Sequence, residues 1–225
     1  MKIIHSGALS AEENMRFDTK FLENLKDQKQ PILRFYEWGS PSATIGHFIK
    51  AEDFLDLNTL DQEGVSFARR PTGGGILFHQ WDFTFSFLMP ASHPHFSLNT
   101  LENYAYVNNN IIEAISQLSG LKAYLHTPCA APNDPRFCMA HLTRYDVEWQ
   151  GKKIAGAAQR KTKWGYLHQA SISLHLPDFS FLSKVLLNKE LVTVMRAHAF
   201  SLHDAFQIDR NTLSKSLEEV FLQTT

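Results

Sequence analysis

The sequence predicts an α+β fold. Two long segments, residues 10–27 and 98–119, carry apolar side chains at helical spacing, and short runs of β-formers bounded by glycine and proline lie between and after them. The glycine-rich stretch Gly73-Gly74-Gly75 sits between predicted strands. It neither opens a helix nor ends in Gly-Lys-Ser/Thr, which argues against the common nucleotide-binding α/β folds. No linker, repeat or low-complexity segment interrupts the 225 residues, so a single domain over 1–225 is expected.

Taken in order, Ser10-Ala11-Glu12-Glu13 fits a capping box, and Met15, Phe17, Phe21, Leu22 and Leu25 then form the buried face of the first helix. Pro31 to Trp38 reads as a strand ended by Gly39-Ser40-Pro41, and Ala43 to Gly46 as a shorter extended piece. A short helix is expected over 51–62, packing Phe54, Leu55 and Leu60 inward. Val65 to Ala68 leads into Arg69-Arg70-Pro71-Thr72-Gly73-Gly74-Gly75, after which Ile76 to Met89 reads as one continuous buried strand. The second long helix, Leu98 to Ser119, turns Leu101, Tyr104, Val107, Ile111, Ile112 and Ile115 inward and stops at Gly120. Residues 123–135 are turn-rich. Tyr145 to Trp149, a Gln150-Gly151 turn and Lys152 to Gly156 make a hairpin; Gly165 to Leu176 is extended again, and the tail from Phe179 holds two helical stretches, one from about Asn211 to Phe221.

Composition narrows the function classes. With 44% hydrophobic residues and a net charge of −1, the chain buries a full core and has no bulk charge for nucleic acid or an anionic membrane. There is no apolar run of membrane-spanning length and no signal-like stretch after Met1, so a cytoplasmic protein is expected. Cys129 and Cys138, the two cysteines, are then expected as reduced thiols. His126-Thr127-Pro128-Cys129 and Cys138-Met139-Ala140-His141 offer a different reading, four ligands that could close a structural zinc site; in that case Cys138 is no nucleophile. The remaining histidines lack ligand spacing, and the 17 phenylalanines follow strands and helix faces, as core packing requires.

Two stretches carry chemistry. In Arg69 to Gly75 the glycines let peptide N–H groups approach a ligand, and arginine offers a planar fork to a carboxylate or phosphate. In Gly151-Lys152-Lys153-Ile154-Ala155-Gly156-Ala157-Ala158, strand alternation sends the two lysines to opposite faces, and small residues after them leave room for a ligand. Lys153 is the one expected to face a pocket, and Lys152 to be solvated.

Arg-Arg-x-x-Gly-Gly-Gly-x-x-x-His followed by Gly-Lys-Lys-Ile-Ala-Gly-Ala-Ala resembles the catalytic domain of the lipoate/octanoate protein acyltransferase family, relatives of the biotin protein ligases. Glu13-Asn14-Met15 and Pro41-x-x-Thr44-Ile45-Gly46 are similar to family elements too, so the likeness covers about residues 8–176. The resemblance implies a central, largely antiparallel sheet flanked by helices. It implies that Gly73, Gly74 and Gly75 hold the carboxyl end of a medium-chain acyl group and that Arg70 meets its carboxylate or an adenylate phosphate. His79 would lie near the acyl or nucleotide pocket, Lys153 on the carbonyl or phosphate oxygens, and Gly156 and Ala157 against the ligand. Ile76, Phe78, Phe83 and Phe85 would wall the C8 chain, each buried methylene worth ~0.8 kcal/mol.

Two mechanisms follow from the resemblance. A ligase uses ATP and Mg²⁺ to make an acyl-adenylate of lipoate or octanoate; a transferase moves octanoate from acyl carrier protein onto a cysteine and needs no cofactor. Either passes the acyl group to a lysine of a lipoyl domain, on the E2 subunits of 2-oxoacid dehydrogenases or on the glycine cleavage H protein. Cys138, thirteen residues before Gly151, resembles the nucleophile of one octanoyltransferase subfamily, whereas Gly75 stands where those transferases usually have arginine. The triple glycine tips the reading to the ligase. Many ligases carry an accessory domain after the catalytic one; only 49 residues follow Leu176, so none is expected here. Gln169-Ala170 replaces a His-Gly pair common in the family, and with Phe83 leaves open a non-catalytic acyl- or carrier-binding protein. Biotin ligation is a weaker option, because its glycine-arginine-glycine pattern is absent.

Overall fold

A computed structural model describes residues 1–127 and 142–225. The chain begins with a strand that the sequence reading did not anticipate, β1 (Lys2–Leu9), and Ser10 then caps α1 (Ala11–Glu23). The capping box forms as predicted: the Ser10 side chain accepts from the Glu13 N–H at 3.2 Å, and Glu13 Oε2 accepts from the Ser10 N–H at 3.1 Å. β2 (Ile32–Trp38), β3 (Ser42–Ile45), α2 (Leu57–Gln62), β4 (Ser66–Arg69), β5 (Ile76–Phe78) and β6 (Asp82–Pro90) follow. α3 (Thr100–Ser119) ends at Gly120, whose φ of 69° is the left-handed turn that glycine adopts without strain. After it come β7 (Tyr124–Leu125), β8 (Val147–Trp149), β9 (Lys152–Thr162) and β10 (Gly165–Ser173), with Gln150 and Gly151 both at positive φ in the hairpin turn. Four helices complete the chain: α4 (Phe179–Val185), α5 (Glu190–His198), α6 (Leu202–Phe206) and α7 (Arg210–Thr224).

Seven strands make one sheet in the order β1-β2-β6-β10-β9-β8-β7, and three make a second in the order β4-β3-β5. Among the described strands β1 with β2 and β3 with β4 run parallel and the other pairings are antiparallel, so the expected architecture holds as a mixed, largely antiparallel sheet with helices outside it. Central β6 is buried along its whole length. Its alternation sends Phe83, Phe85, Phe87 and Met89 into the main core with Val107, Ile111 and Ile115 of α3 and Leu213, Leu217 and Phe221 of α7. The other face of β6 presents Asp82, Thr84, Ser86 and Leu88 towards α1, where Ser86 reaches Asp18 and Leu88 packs on Leu22 and Leu25. The small sheet has its own core, in which Ala43, Ile45, Ile76 and Phe78 pack against Leu182, Val185 and Val192 of α4 and α5.

Three expectations change. Ile76 to Met89 is two strands in two sheets: Phe78 pairs with Ala43 of β3, while Asp82 onward pairs with β10 and Phe85 onward with β2. The corner lies at His79-Gln80-Trp81, where the His79 N–H bonds to the Ser42 carbonyl at 2.8 Å. An apolar run carries no mark of which sheet it joins. The 51–62 segment is a 3-10 turn at Ala51–Asp53 and then α2, because Leu55 between them bridges to Leu186. The tail forms four helices rather than two, with Asp178, Ser201 and Asp209 capping α4, α6 and α7. Among the described residues no helix is long and apolar enough to cross a membrane.

Candidate active site

A cleft of about 1070 Å³, counting the solvent in its mouth, opens between the two sheets. Arg70, His79, Lys153, Gly156 and Ala157 all line it, so residues far apart in sequence converge on one space. Gly73, Gly74 and Gly75 are not among the lining residues; they run behind Arg70 as the turn that aims it.

That turn is clasped from several sides. The Arg70 N–H bonds to the Ile45 carbonyl, the Gly46 N–H to Gly75 and the His47 N–H to Thr72, at 2.8, 3.0 and 2.9 Å. Of the three glycines only Gly74 takes a positive φ, 83°. Gly46 is the tighter requirement: a Cβ there would lie 1.8 Å from the Gly74 carbonyl oxygen. Outside the cleft, Arg69 Nη1 ties down the carbonyls of Gly46, His47 and Ile49.

Arg70 is buried, with 6% exposure, and its guanidinium braces the site. Nη1 donates to the Thr44 carbonyl at 3.1 Å and Oγ1 at 2.7 Å; Nη2 donates to the carbonyls of Gly73 at 3.2 Å and Gly75 at 2.7 Å. From Thr44 the network continues. Its Oγ1 lies 2.7 Å from His79 Nε2, His79 Nδ1 lies 2.8 Å from Asp82 Oδ2, and that oxygen also accepts from Ser171 at 2.7 Å and Thr84 at 3.1 Å. The His79 ring stacks on Trp38 at 4.0 Å. Burial pushes the Asp82 carboxyl up, but the charge of His79 and three hydrogen-bond donors outweigh it and hold the group below the usual carboxylate range. Asp82 lines the cleft, and its Oδ1, itself buried, has no hydrogen-bond partner among the described residues.

On the far wall, Lys153 Nζ bonds to Asp146 Oδ2 at 2.6 Å, and Asp146 is itself fixed by the Thr143 N–H at 2.7 Å and hydroxyl at 2.9 Å. The lysine bends back along its own strand, and Gly156 provides the space: a Cβ there would come within 2.8 Å of Lys153 Cε. Lys152 points away to the Ala197 carbonyl, as alternation predicts. Of the four residues expected to wall an acyl chain, only Phe78 lines the cleft. Phe83 and Phe85 belong to the opposite face of the sheet, and Ile76 to the core of the small sheet. The apolar lining comes instead from Met15, Tyr36, Trp38 and Trp81, with Met195 and Phe200 from the tail.

The sequence reading gave no role to Asp82 or Asp146, and met Thr44 and Gln169 only as a family element and a family departure. Each is a single polar residue at or beside a β-strand, and one sequence does not tell whether such a residue faces solvent or a cleft. His175 and His198, read as scattered, also line the cleft, and His198 Nδ1 lies 2.9 Å from the Gly151 carbonyl. Cys129, Cys138 and His141 lie outside the described residues; His126, the fourth member of the suggested zinc set, bonds to Glu148.

Fold and cleft together define an α+β domain in which a buried arginine–histidine network and a carboxylate-held lysine face each other across a largely apolar space. The chain belongs to the family of the lipoyl protein ligase A/B catalytic domain, whose model matches residues 10–222. Octanoyltransferase LipM of Anoxybacillus flavithermus is 34% identical over 185 residues, which cover 79% of this chain and 66% of that protein. The chain therefore spans just under two thirds of that curated relative. Among solved structures, protein Ta0514 from T. acidophilum with bound lipoic acid matches with a TM-score of 0.80 at 25% identity, over 99% of this chain and 85% of that one. A lipoate-protein ligase A bound with ATP matches equally, with a TM-score of 0.80 and 25% identity over 99% and 84%.

Proposed function

We propose that this chain is an enzyme of protein lipoylation that delivers an octanoyl or lipoyl group to the ε-amine of a lysine on a lipoyl carrier domain. The observation that carries the reading is Lys153, a cation fixed at 2.6 Å by Asp146 and lining a largely apolar cleft opposite the Arg70 turn. Acyl transfer to an amine puts negative charge on the carbonyl oxygen, and a preorganised cation lowers that barrier without reorganising. Arg70 would act by holding the glycine turn to shape, and Gly156 and Ala157 by letting the acyl carbonyl approach the strand. Trp38, Tyr36 and Phe78 would shield the chain from water.

Within this reading we propose octanoyl transfer from a carrier thioester, supported by the 34% identity to an octanoyltransferase. The Cys138 thiolate would attack the thioester carbonyl and release the carrier thiol. The target lysine amine would then attack the new thioester, form the amide and return the thiolate, so no oxidant and no nucleotide is consumed. The test is intact mass of a lipoyl domain incubated with the protein and octanoyl acyl carrier protein: a gain of one octanoyl group is expected, lost in Cys138→Ser and Lys153→Ala. Full transfer by Cys138→Ser would exclude the thioester route.

The 25% likeness to a ligase bound with ATP favours a second, ATP-dependent reading. The cleft fits it in part, because Lys153 and His198 would face polyphosphate. When bound, ATP supplies the leaving group for a free carboxylic acid. Mg²⁺ would bridge the phosphates, as it does in phosphate sites generally. Octanoate or lipoate with ATP and Mg²⁺ in the same mass assay separates the two. The acceptors are then lipoyl domains of E2 subunits or the glycine cleavage H protein, tested one at a time.

A further inference from the structure

Behind the cleft floor a buried polar chain joins the first helix to the glycine turn. Arg34 and Asp18 are both fully buried, and Arg34 Nη1 donates to Asp18 Oδ1 at 2.8 Å. Nη2 donates to Asn14 Oδ1 at 2.6 Å, Nε to Ser6 Oγ at 2.8 Å and Nη1 also to the Asn14 carbonyl at 3.3 Å, and the guanidinium lies 4.2 Å from the Tyr36 ring centroid. The second Asp18 oxygen accepts from Gln169 Nε2 at 2.7 Å, and Gln169 Oε1 accepts from the Thr72 hydroxyl at 2.7 Å. The Gln169 amide also lies 3.4 Å from Met15 Sδ, and both residues line the cleft.

An amide satisfies both partners at this place. Asp18 offers only acceptors and therefore needs a donor; the Thr72 hydroxyl is donating and needs an acceptor. An amide does both while uncharged. The link also crosses from the large sheet, which holds Gln169 on β10, to the turn that belongs to the small sheet. The other described side-chain bond of this kind is Arg160 Nη1 to the Pro71 carbonyl, at 3.2 Å.

We infer that Gln169 is a positioning residue: its amide ties Thr72, and through it Arg70 and the glycine turn, to the buried Asp18–Arg34 pair, and so sets the width of the cleft where the acyl carbonyl sits. The effect on turnover rests on the acyl-transfer reading; the tether itself does not.

Two readouts test it on the full chain, amide hydrogen exchange of residues 69–76 in the protein alone and steady-state acyl transfer. Gln169→Leu and Thr72→Val cut the same link from its two ends. Each should speed exchange in that segment about fivefold or more while leaving α3 and β6 protected, the loss of one buried hydrogen bond being worth at least that factor. Each should lower kcat about tenfold with little change in KM, since a misplaced turn impairs reaction more than binding. The double variant should be no worse than either single one. Gln169→Glu adds a distinct signature. Its carboxyl would meet the Asp18 carboxylate, the two would share one proton, and protection and turnover would both be retained at low pH and lost as pH rises and that proton leaves. Unchanged exchange in both Gln169→Leu and Thr72→Val, or strictly additive effects, would overturn the tether. Looser exchange with unaltered kcat would overturn the positioning role, and a parent protein that turns over no donor would instead count against the acyl-transfer reading, with exchange still deciding the tether.

Discussion

A methyl group on Gly46 would sit 1.8 Å from the carbonyl oxygen of Gly74, against backbone that has nowhere to retreat. Gly46→Ala should therefore displace the turn that presents Arg70, costing about 1–3 kcal/mol in a urea titration and at least about tenfold in turnover. His168 offers a pH test. Fully buried on β10, with Gln159 as its hydrogen-bond partner among the described residues, it is driven down from the ordinary 6.5 to about 3 by burial. Between those values the unfolded chain binds a proton that the folded one refuses. This contribution to stability is therefore complete above the unfolded value and falls as pH drops below it, by about 1.4 kcal/mol per unit. His168→Gln should flatten urea midpoints between pH 5 and 7; an unchanged slope would assign the acid sensitivity elsewhere. At this scale the sequence showed Lys153, because alternation sends two adjacent lysines on a strand to opposite faces and the small residues after them leave room for a ligand. It did not show Gln169 or Asp82, whose meaning depends on neighbours brought in from α1, β3 and the glycine turn.

α1 is joined to β2 by charge as well as by apolar packing. Removing one partner leaves the other buried and uncompensated, so Arg34→Met should cost about 3–5 kcal/mol, while Arg34→Met with Asp18→Leu should recover most of it. A double variant as unstable as the single one would show that the pair is held for more than its own charge balance. Elements with local signals were legible: the capping box of α1, the Gly120 stop of α3 and the Gln150-Gly151 turn all form where their residue types require. Those set by tertiary contact were not. β5 and β6 share one apolar run and part company only because Ala43 and Ile32 lie in different sheets, and β1 exists because β2 offers it an edge.

For the whole molecule, the α+β class followed from patterning, whereas the sheet order came within reach only through the family resemblance. No periodicity states that residue 32 will lie beside 88, or 172 beside 83. Such pairings imply slow closure. Refolding after dilution from urea should take milliseconds to seconds rather than microseconds, and a microsecond phase carrying the full signal in temperature-jump relaxation would contradict this.

The same strand order bears on how the chain is made. β6 lies between β2, already synthesised, and β10, which is not complete until Ser173 has been translated. In the interval a nine-residue strand destined for burial on both faces has one open edge, and its Phe83, Phe85 and Phe87 await α7 residues that are made later still. Emerging at about 5–20 residues per second, the nascent protein would spend several seconds with that edge unpaired. Over that interval it presents the extended apolar segment that holdase chaperones bind and that sister chains on one polysome could pair with.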